Sequence, residues 1–303
     1  MDDALTDHIA QVRAREGDAV EDWLAGLSGL IAELTQRWEL TLGAPFDGGS
    51  IGYTVAATRA GTDPVVLKIS APGAWFTEET GALVHWDGHG AVELIDHDPR
   101  GAQLLERAVP GTSLREEPDE DRAMELAAGV LERLWVAPPA STSAVADEVL
   151  RWADTMAERN DTVGARVPPG LVDTASKMLR DLTASQREQV LLHGDLHLGN
   201  VLAAQREPWL AIDPKPLVGE REFDVTALIR DGQEELVEDE DAPARLQRRF
   251  DRLSERLDCD RRRLKDWSVA IMTDYALWSF ESGAQRTGVT QVAVAQLLRR
   301  LRP

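Results

Sequence analysis

Between residues 190 and 212 two apolar runs, VLLHGD and WLAID, flank a polar loop in the middle of an otherwise helical stretch. That pattern predicts a small β element folded back on itself, which any fold for this chain must seat inside a helical body. The rest of the 303 residues is ordered around it. Over the first forty residues, Ile9, Val12, Val20, Trp23, Leu24, Leu27, Leu30, Ile31 and Leu34 recur at spacings of three and four, which predicts helices. Residues 46–57 and 64–70 are short, β-rich and bounded by Gly, Asp and Pro, so they predict strands, as do 91–95 and 102–107; residues 78–86 predict a helix. The turn-rich PGTSLREEPDE places a boundary near Pro110 and Gly111. Helix is expected from about 119 to 190 and again from about 223 to the end. No internal repeat or low-complexity linker interrupts this order. The charge run EELVEDEDAP reads as an exposed loop or a frayed helix end.

The polar loop carries the chemistry. In LLHGDLHLGNVL, His193, Asp195 and Asn200 are close together, and Asp213 ends the apolar run WLAID. Transfer of a phosphoryl group needs a carboxylate to accept the attacking hydroxyl's proton and oxygen ligands to hold Mg2+ against the β- and γ-phosphates. Asp195 suits the first role, Asn200 and Asp213 the second, and the span from Asn200 to Asp213 is that of a hairpin. The pair His193 and His197 has HxxxH spacing, but zinc helices need both histidines on one continuous helix, and Gly194 and Gly199 argue for a loop.

Composition narrows the setting. Hydrophobic residues are 43% and charged residues 28%, the balance of a soluble globular protein. No apolar run approaches the roughly 20 residues that span a bilayer, and MDDALTDHIA lacks the basic and apolar regions of a secretory signal, so no membrane or export role is expected. One cysteine, Cys259, excludes an intrachain disulfide framework and suits the cytoplasm. A formal net charge of −20 repels phosphate backbones, which argues against nucleic acid as a partner. It would attract cations, although acidity alone also serves solubility. An anionic nucleotide would have to be received locally by lysine, metal ions and backbone N–H groups.

The run HGDLHLGNVLAAQREPWLAIDPKPLVGEREFDV resembles the aminoglycoside phosphotransferase superfamily, and within it the streptomycin 6-kinase and hydroxyurea phosphotransferase group. FDGGSIGYTVAA, VVLKIS, ALVHWDGHGAVELIDHD, LLERAVPGTSL and ALWSFESG extend the resemblance over residues 38 to 285. It implies an α+β, protein-kinase-like fold of two lobes with an ATP cleft between them: a small antiparallel-sheet N-lobe over 1–109 and a larger, mostly helical C-lobe over 110–303. It implies an ATP- and Mg2+-dependent O-phosphotransferase of the antibiotic-resistance kind, acting on a small cationic polyol such as an aminoglycoside. Gly48, Gly49, Ser50 and Gly52, between predicted strands, would then approach the phosphates. Lys68, in VVLKIS, would hold the α/β-phosphates, oriented by a carboxylate on the next helix. Glu78 and Glu79 both qualify by position; the resemblance places the glutamate seven residues before Trp86, at Glu79. LLERAVPG would form the hinge, with adenine on main-chain groups near Glu106 and Ala108. Asp224 resembles the aspartate that braces the catalytic loop, and His193 would orient that loop. Lys215 has two readings, phosphate binding or simple ion pairing.

Two segments depart from the pattern: Pro216 stands where glycine is expected, and LIRDGQEEL replaces a more basic, asparagine-containing run. Both bear on the acceptor. Carboxylates and aromatic faces suit a cationic acceptor, and Asp274, Trp278 and Glu281 share one face of a helix; the same spacing also fits an amphipathic helix with Trp278 in the core. A kinase for hydroxyurea, an amino sugar or a sugar, and a non-catalytic nucleotide-binding module, remain alternatives.

Overall fold

A computed structural model describes residues 21–46, 52–70 and 74–303. The chain forms two compact units, Met1–Gly111 and Thr112–Pro303.

In the first unit helix α1 (Glu21–Arg37) precedes strands β1 (Leu40–Pro45), β2 (Gly52–Arg59) and β3 (Asp63–Ser70), helix α2 (Ala74–Trp86), and strands β4 (Leu94–Asp98) and β5 (Ala102–Glu106). The strands make one antiparallel sheet in the order β1-β2-β3-β5-β4. Strand alternation sorts its two faces. Tyr53, Val55 and Ala57 of β2 and Val65, Leu67 and Ile69 of β3 form a buried core with Leu27, Ile31 and Leu34 of α1 and with Trp38. Lys68 lies between two of these core residues and so points to the other face. β1 is a strand that the sequence pattern does not announce: only Leu40 of its six residues is buried, as befits an edge strand that tolerates Pro45. The strand expected over 91–95 is displaced toward the C-terminus, to Leu94–Asp98, and within 46–57 the described strand is Gly52–Arg59, with residues 47–51 outside the described ones.

The second unit holds helices α3 (Glu120–Leu134), α4 (Val145–Thr162), α5 (Pro169–Ala184), α6 (Arg221–Ile229), α7 (Gln233–Glu238), α8 (Ala242–Arg256), α9 (Arg261–Glu281) and α10 (Gln285–Leu298). The expected β element is set into them as four strands of three residues each: β6 (Val190–Leu192), β7 (Val201–Ala203), β8 (Trp209–Ala211) and β9 (Leu217–Gly219). β7 pairs with β8 and β6 with β9, both antiparallel. The charge run is better anchored than a frayed end, since α7 buries Leu236 completely and Arg245 ion-pairs with Asp239. No described helix is long and apolar enough to cross a membrane.

Candidate active site

In the first unit, the ladder sets Lys68 opposite Gln103, so both side chains leave the sheet on the same face. They meet consecutive residues of α2: Lys68 Nζ donates to Glu79 Oε1 at 2.7 Å, and Gln103 Nε2 donates to Thr80 Oγ1 at 2.9 Å. Lys68 is 8% exposed and Glu79 6%, a buried ion pair. Of the two candidate glutamates it is Glu79 that reaches the lysine at this distance. Gly52 opens β2, where a Cβ would come within 3.1 Å of the Ile69 carbonyl oxygen. Gly48, Gly49 and Ser50 lie outside the described residues, as do Ile9, Val12 and Val20. At the end of β5 the Glu106 N–H donates to the Glu93 carbonyl, and the Glu106 carboxylate accepts from the Glu93 N–H. Ala108 lies two residues on, its carbonyl oxygen 2.9 Å from where a Cβ on Gly111 would sit.

In the second unit, the loop between β6 and β7 is held from beneath by Asp224 of α6. Its carboxylate accepts from the backbone N–H of His193 at 3.0 Å and of Gly194 at 2.8 Å, and from Trp135 Nε1 at 3.1 Å. Burial pushes the Asp224 carboxyl up to about 6, against the pull of those three donors. His193 is fully buried, its Nε2 on the Ile212 carbonyl at 3.0 Å and its Nδ1 on the Asp195 N–H at 3.3 Å. Burial drives its pKa down to about 4, so the imidazole is neutral and positions the loop. Gly194 has φ +81°, and a Cβ there would sit 1.9 Å from the Lys215 carbonyl oxygen, a separation no side chain tolerates.

This scaffold presents Asp195. Its Oδ2 accepts from Lys215 Nζ and its Oδ1 from Arg230 Nη2, each at 2.6 Å. Burial alone would raise its pKa, but Arg230 and Lys215 outweigh it and hold the carboxyl down at about 2. Asp195 is therefore an anion across the physiological range. Asn200 turns its Nδ2 toward the Asp195 carbonyl at 3.0 Å, which leaves its Oδ1 for another partner. The Asn200 carbonyl accepts from the Ile212 N–H at 3.0 Å, one step beyond the last pair of the β7–β8 ladder, so Asn200 and Asp213 stand together at the mouth of that hairpin. Asp213 has φ +55°, a left-handed conformation that aspartate adopts more readily than most residues. The donor set, one amide oxygen and one carboxylate, fits a hard cation such as Mg2+, which takes few protein ligands and completes its shell with phosphate and water. His193 and His197 do not share a helix: both lie in the irregular loop between β6 and β7, ahead of a single 3-10 turn over Leu198–Asn200.

On α9, Asp274 and Glu281 converge as expected, but on a partner the sequence does not reveal. Arg159 of α4 donates to Asp274 Oδ1 at 2.5 Å and to both Glu281 oxygens at 2.8 and 2.9 Å. Trp278 is not in the core. It is 63% exposed, on the outward side of a last turn whose Ser279 and Phe280 are buried.

The model of the aminoglycoside/hydroxyurea antibiotic resistance kinase family matches residues 37–283. The chain belongs to this family. Among its relatives, the streptomycin 6-kinase of Streptomyces glaucescens is 36% identical over 307 residues, covering 97% of this chain and 95% of that protein. The hydroxyurea phosphotransferase of Kitasatospora aureofaciens is 34% identical over 304 residues, covering 96% and 84%. The family's fold recurs at lower identity. An aminoglycoside phosphotransferase solved with ADP and hygromycin B superposes with a TM-score of 0.65 at 17% identity, over 88% of this chain and 97% of that one. A choline kinase from Streptococcus pneumoniae gives 0.60 at 13%, over 90% and 99%. Both share the protein-kinase-like fold.

Sequence reasoning missed Arg230, Tyr275, Asp231 and Arg159. Arg230 lies in LIRDGQEEL, the run that departs from the family pattern, and its Cζ sits 4.9 Å from the ring centroid of Tyr275. Asp231, beside it, accepts from the Leu198 N–H and from Arg115. The one sequence signal for Arg230 and Asp231 is adjacency to the brace helix α6.

Proposed function

We propose that this chain transfers the γ-phosphoryl group of ATP to a hydroxyl of an aminoglycoside, with the 6-hydroxyl of streptomycin as the leading acceptor. The observation that carries this is Asp195, an ionised carboxylate at the tip of a braced loop, in a chain whose full-length relatives include streptomycin 6-kinases. Asp195 orients the acceptor hydroxyl and takes its proton. Lys68, fixed by Glu79, binds the α/β-phosphates, Gly48, Gly49, Ser50 and Gly52 supply backbone N–H groups to the nucleotide, and adenine sits on main-chain groups at Glu106 and Ala108. Asn200 and Asp213 would hold Mg2+, which when bound neutralises charge on the β- and γ-phosphates. His193 and Asp224 keep the loop in register. Asp274, Trp278 and Glu281 are the acceptor-side group, with Arg159 setting the two carboxylates.

The reaction belongs in the cytoplasm, where ATP is available and thiols stay reduced; Cys259, its thiol pushed up to about 12 by burial, is inert there. A second reading, phosphorylation of hydroxyurea, is favoured by the 34% identity to a hydroxyurea phosphotransferase. One panel separates them: ATP consumption measured with streptomycin, other aminoglycosides, hydroxyurea and glucosamine. Stimulation by streptomycin is expected. Stimulation by hydroxyurea alone selects the second reading, and no stimulation by any acceptor overturns both.

A further inference from the structure

The two cations on Asp195 raise a question of charge. Both carboxylate oxygens carry a donor at 2.6 Å, yet the carboxylate must take a proton during transfer. We propose that Arg230 is a phosphoryl-binding residue held in reserve on the catalytic carboxylate, which leaves Asp195 Oδ1 for the transferring phosphoryl group as the acceptor's proton arrives there. This rests on the assignment of Asp195 made above.

In the step, the acceptor oxygen forms a bond to the γ-phosphorus, and the bond from that phosphorus to the β,γ-bridging oxygen breaks with its electron pair going to ADP. The hydroxyl proton goes to Asp195 Oδ1. Negative charge thus leaves Asp195 as it gathers on the transferring group and the leaving oxygen. A cation bound to Asp195 loses its partner at the moment an anion forms nearby.

Arg230 is built for that exchange in ways Lys215 is not. The Lys215 side chain is 50% exposed and carries a point charge. The Arg230 side chain is 16% exposed and rests on the face of Tyr275, which lets the guanidinium pivot while keeping its plane. Its Nε is buried and has no acceptor among the described residues. A planar fork with a donor unused matches phosphoryl oxygens, which Arg binds in bidentate fashion. In a chain of net charge −20, a half-buried cation beside the reacting carboxylate supplies locally the positive charge that an anionic substrate needs.

The test compares wild type with Arg230→Ala, Arg230→Gln and Arg230→Lys. Turnover with ATP and streptomycin is measured, together with the Kd for ADP alone and for ADP with aluminium fluoride, a mimic of the transferring phosphoryl group. The Ala and Gln variants should lose about 10²–10³-fold in kcat and a comparable factor in affinity for ADP with aluminium fluoride, while the Kd for ADP stays within about threefold. The Lys variant should recover about tenfold of the loss. Turnover within about threefold of wild type in the Gln variant overturns the proposal. So does a fall in kcat with aluminium fluoride binding unchanged, since Arg230 would then act only through Asp195. The fluoride measurement needs no acceptor, so it decides the proposal even if wild type phosphorylates no aminoglycoside; that outcome would count against the substrate assignment alone. If the Ala variant fails to fold, the Gln and Lys variants, closer in shape, carry the test.

Discussion

Lys68 and Asp195 each sit in a close ion pair, one in each compact unit, and the two pairs are made differently. Lys68 and Glu79 are both sealed, with side chains 10% and 8% exposed, at the contact of a sheet face with a helix. Asp195 is shared between two cations, of which Lys215 is half-exposed and Arg230 rests on an aromatic ring. A sealed pair loses much when either member is removed, because the other charge stays in low dielectric. A shared, partly solvated set can exchange partners at modest cost. The first arrangement suits a fixed nucleotide ligand, the second a group whose charge changes during the reaction.

The largest effect that would break this comparison is on stability in the first unit. Lys68→Ala strips Glu79 of its 2.7 Å partner and should cost about 3–5 kcal/mol in chemical denaturation, together with a marked loss of ATP affinity. A cost under about 1 kcal/mol would mean that the pair is solvated like a surface one.

A smaller effect sharpens the second unit's side by asking whether the scaffold under Asp195 is dry. Burial lowers the His193 pKa from 6.5 to about 4, so the folded state refuses a proton that the unfolded chain accepts. The stability this neutral histidine confers is complete above pH 6.5 and is lost as pH falls toward 4, by about 3 kcal/mol in all. Asp224 has the opposite sign: its carboxyl is raised from 3.8 to about 6, so its contribution is lost as pH rises through that range. The two slopes offset each other in the wild type. The stability difference between wild type and His193→Asn isolates the histidine, and denaturation at a series of pH values should find it largest at pH 7 and smaller by about 3 kcal/mol at pH 4. A difference constant with pH would contradict a buried, neutral His193.

The smallest effect is at Lys215. Lys215→Ala should change stability by less than about 1 kcal/mol, since half the side chain is exposed, while lowering turnover. A loss of stability as large as that of Lys68→Ala would erase the distinction between the two pairs.

What was legible in the sequence follows the range of each interaction. HGDLHLGN and IDPK hold Asp195, Asn200 and Asp213 on one loop and hairpin, so short spacing carried the geometry. Lys68 stood out as a charge in a run of branched apolar residues, and strand alternation explains why it leaves the core face. Glu79 could not be told from Glu78 by spacing, and only the resemblance chose it. Arg159 reaches Glu281 across 122 positions of sequence, and no local pattern encodes such a contact. Arg230 looks like an ordinary surface arginine until the loop and Tyr275 are placed around it. Trp278 fits a buried helical stripe by period, but the period does not say which side of the last turn is covered: Ser279 and Phe280 are buried and Trp278 is not.

The most direct test of the account is at Asp195. Wild type and Asp195→Ala would be incubated with ATP, Mg2+ and streptomycin, the product followed by mass spectrometry, and ADP binding measured in parallel. The account predicts a singly phosphorylated streptomycin from the wild type, a loss of about 10²–10⁴-fold in its rate of formation in the variant, and unchanged ADP affinity. Phosphorylated product formed by Asp195→Ala at a rate near that of the wild type would contradict it.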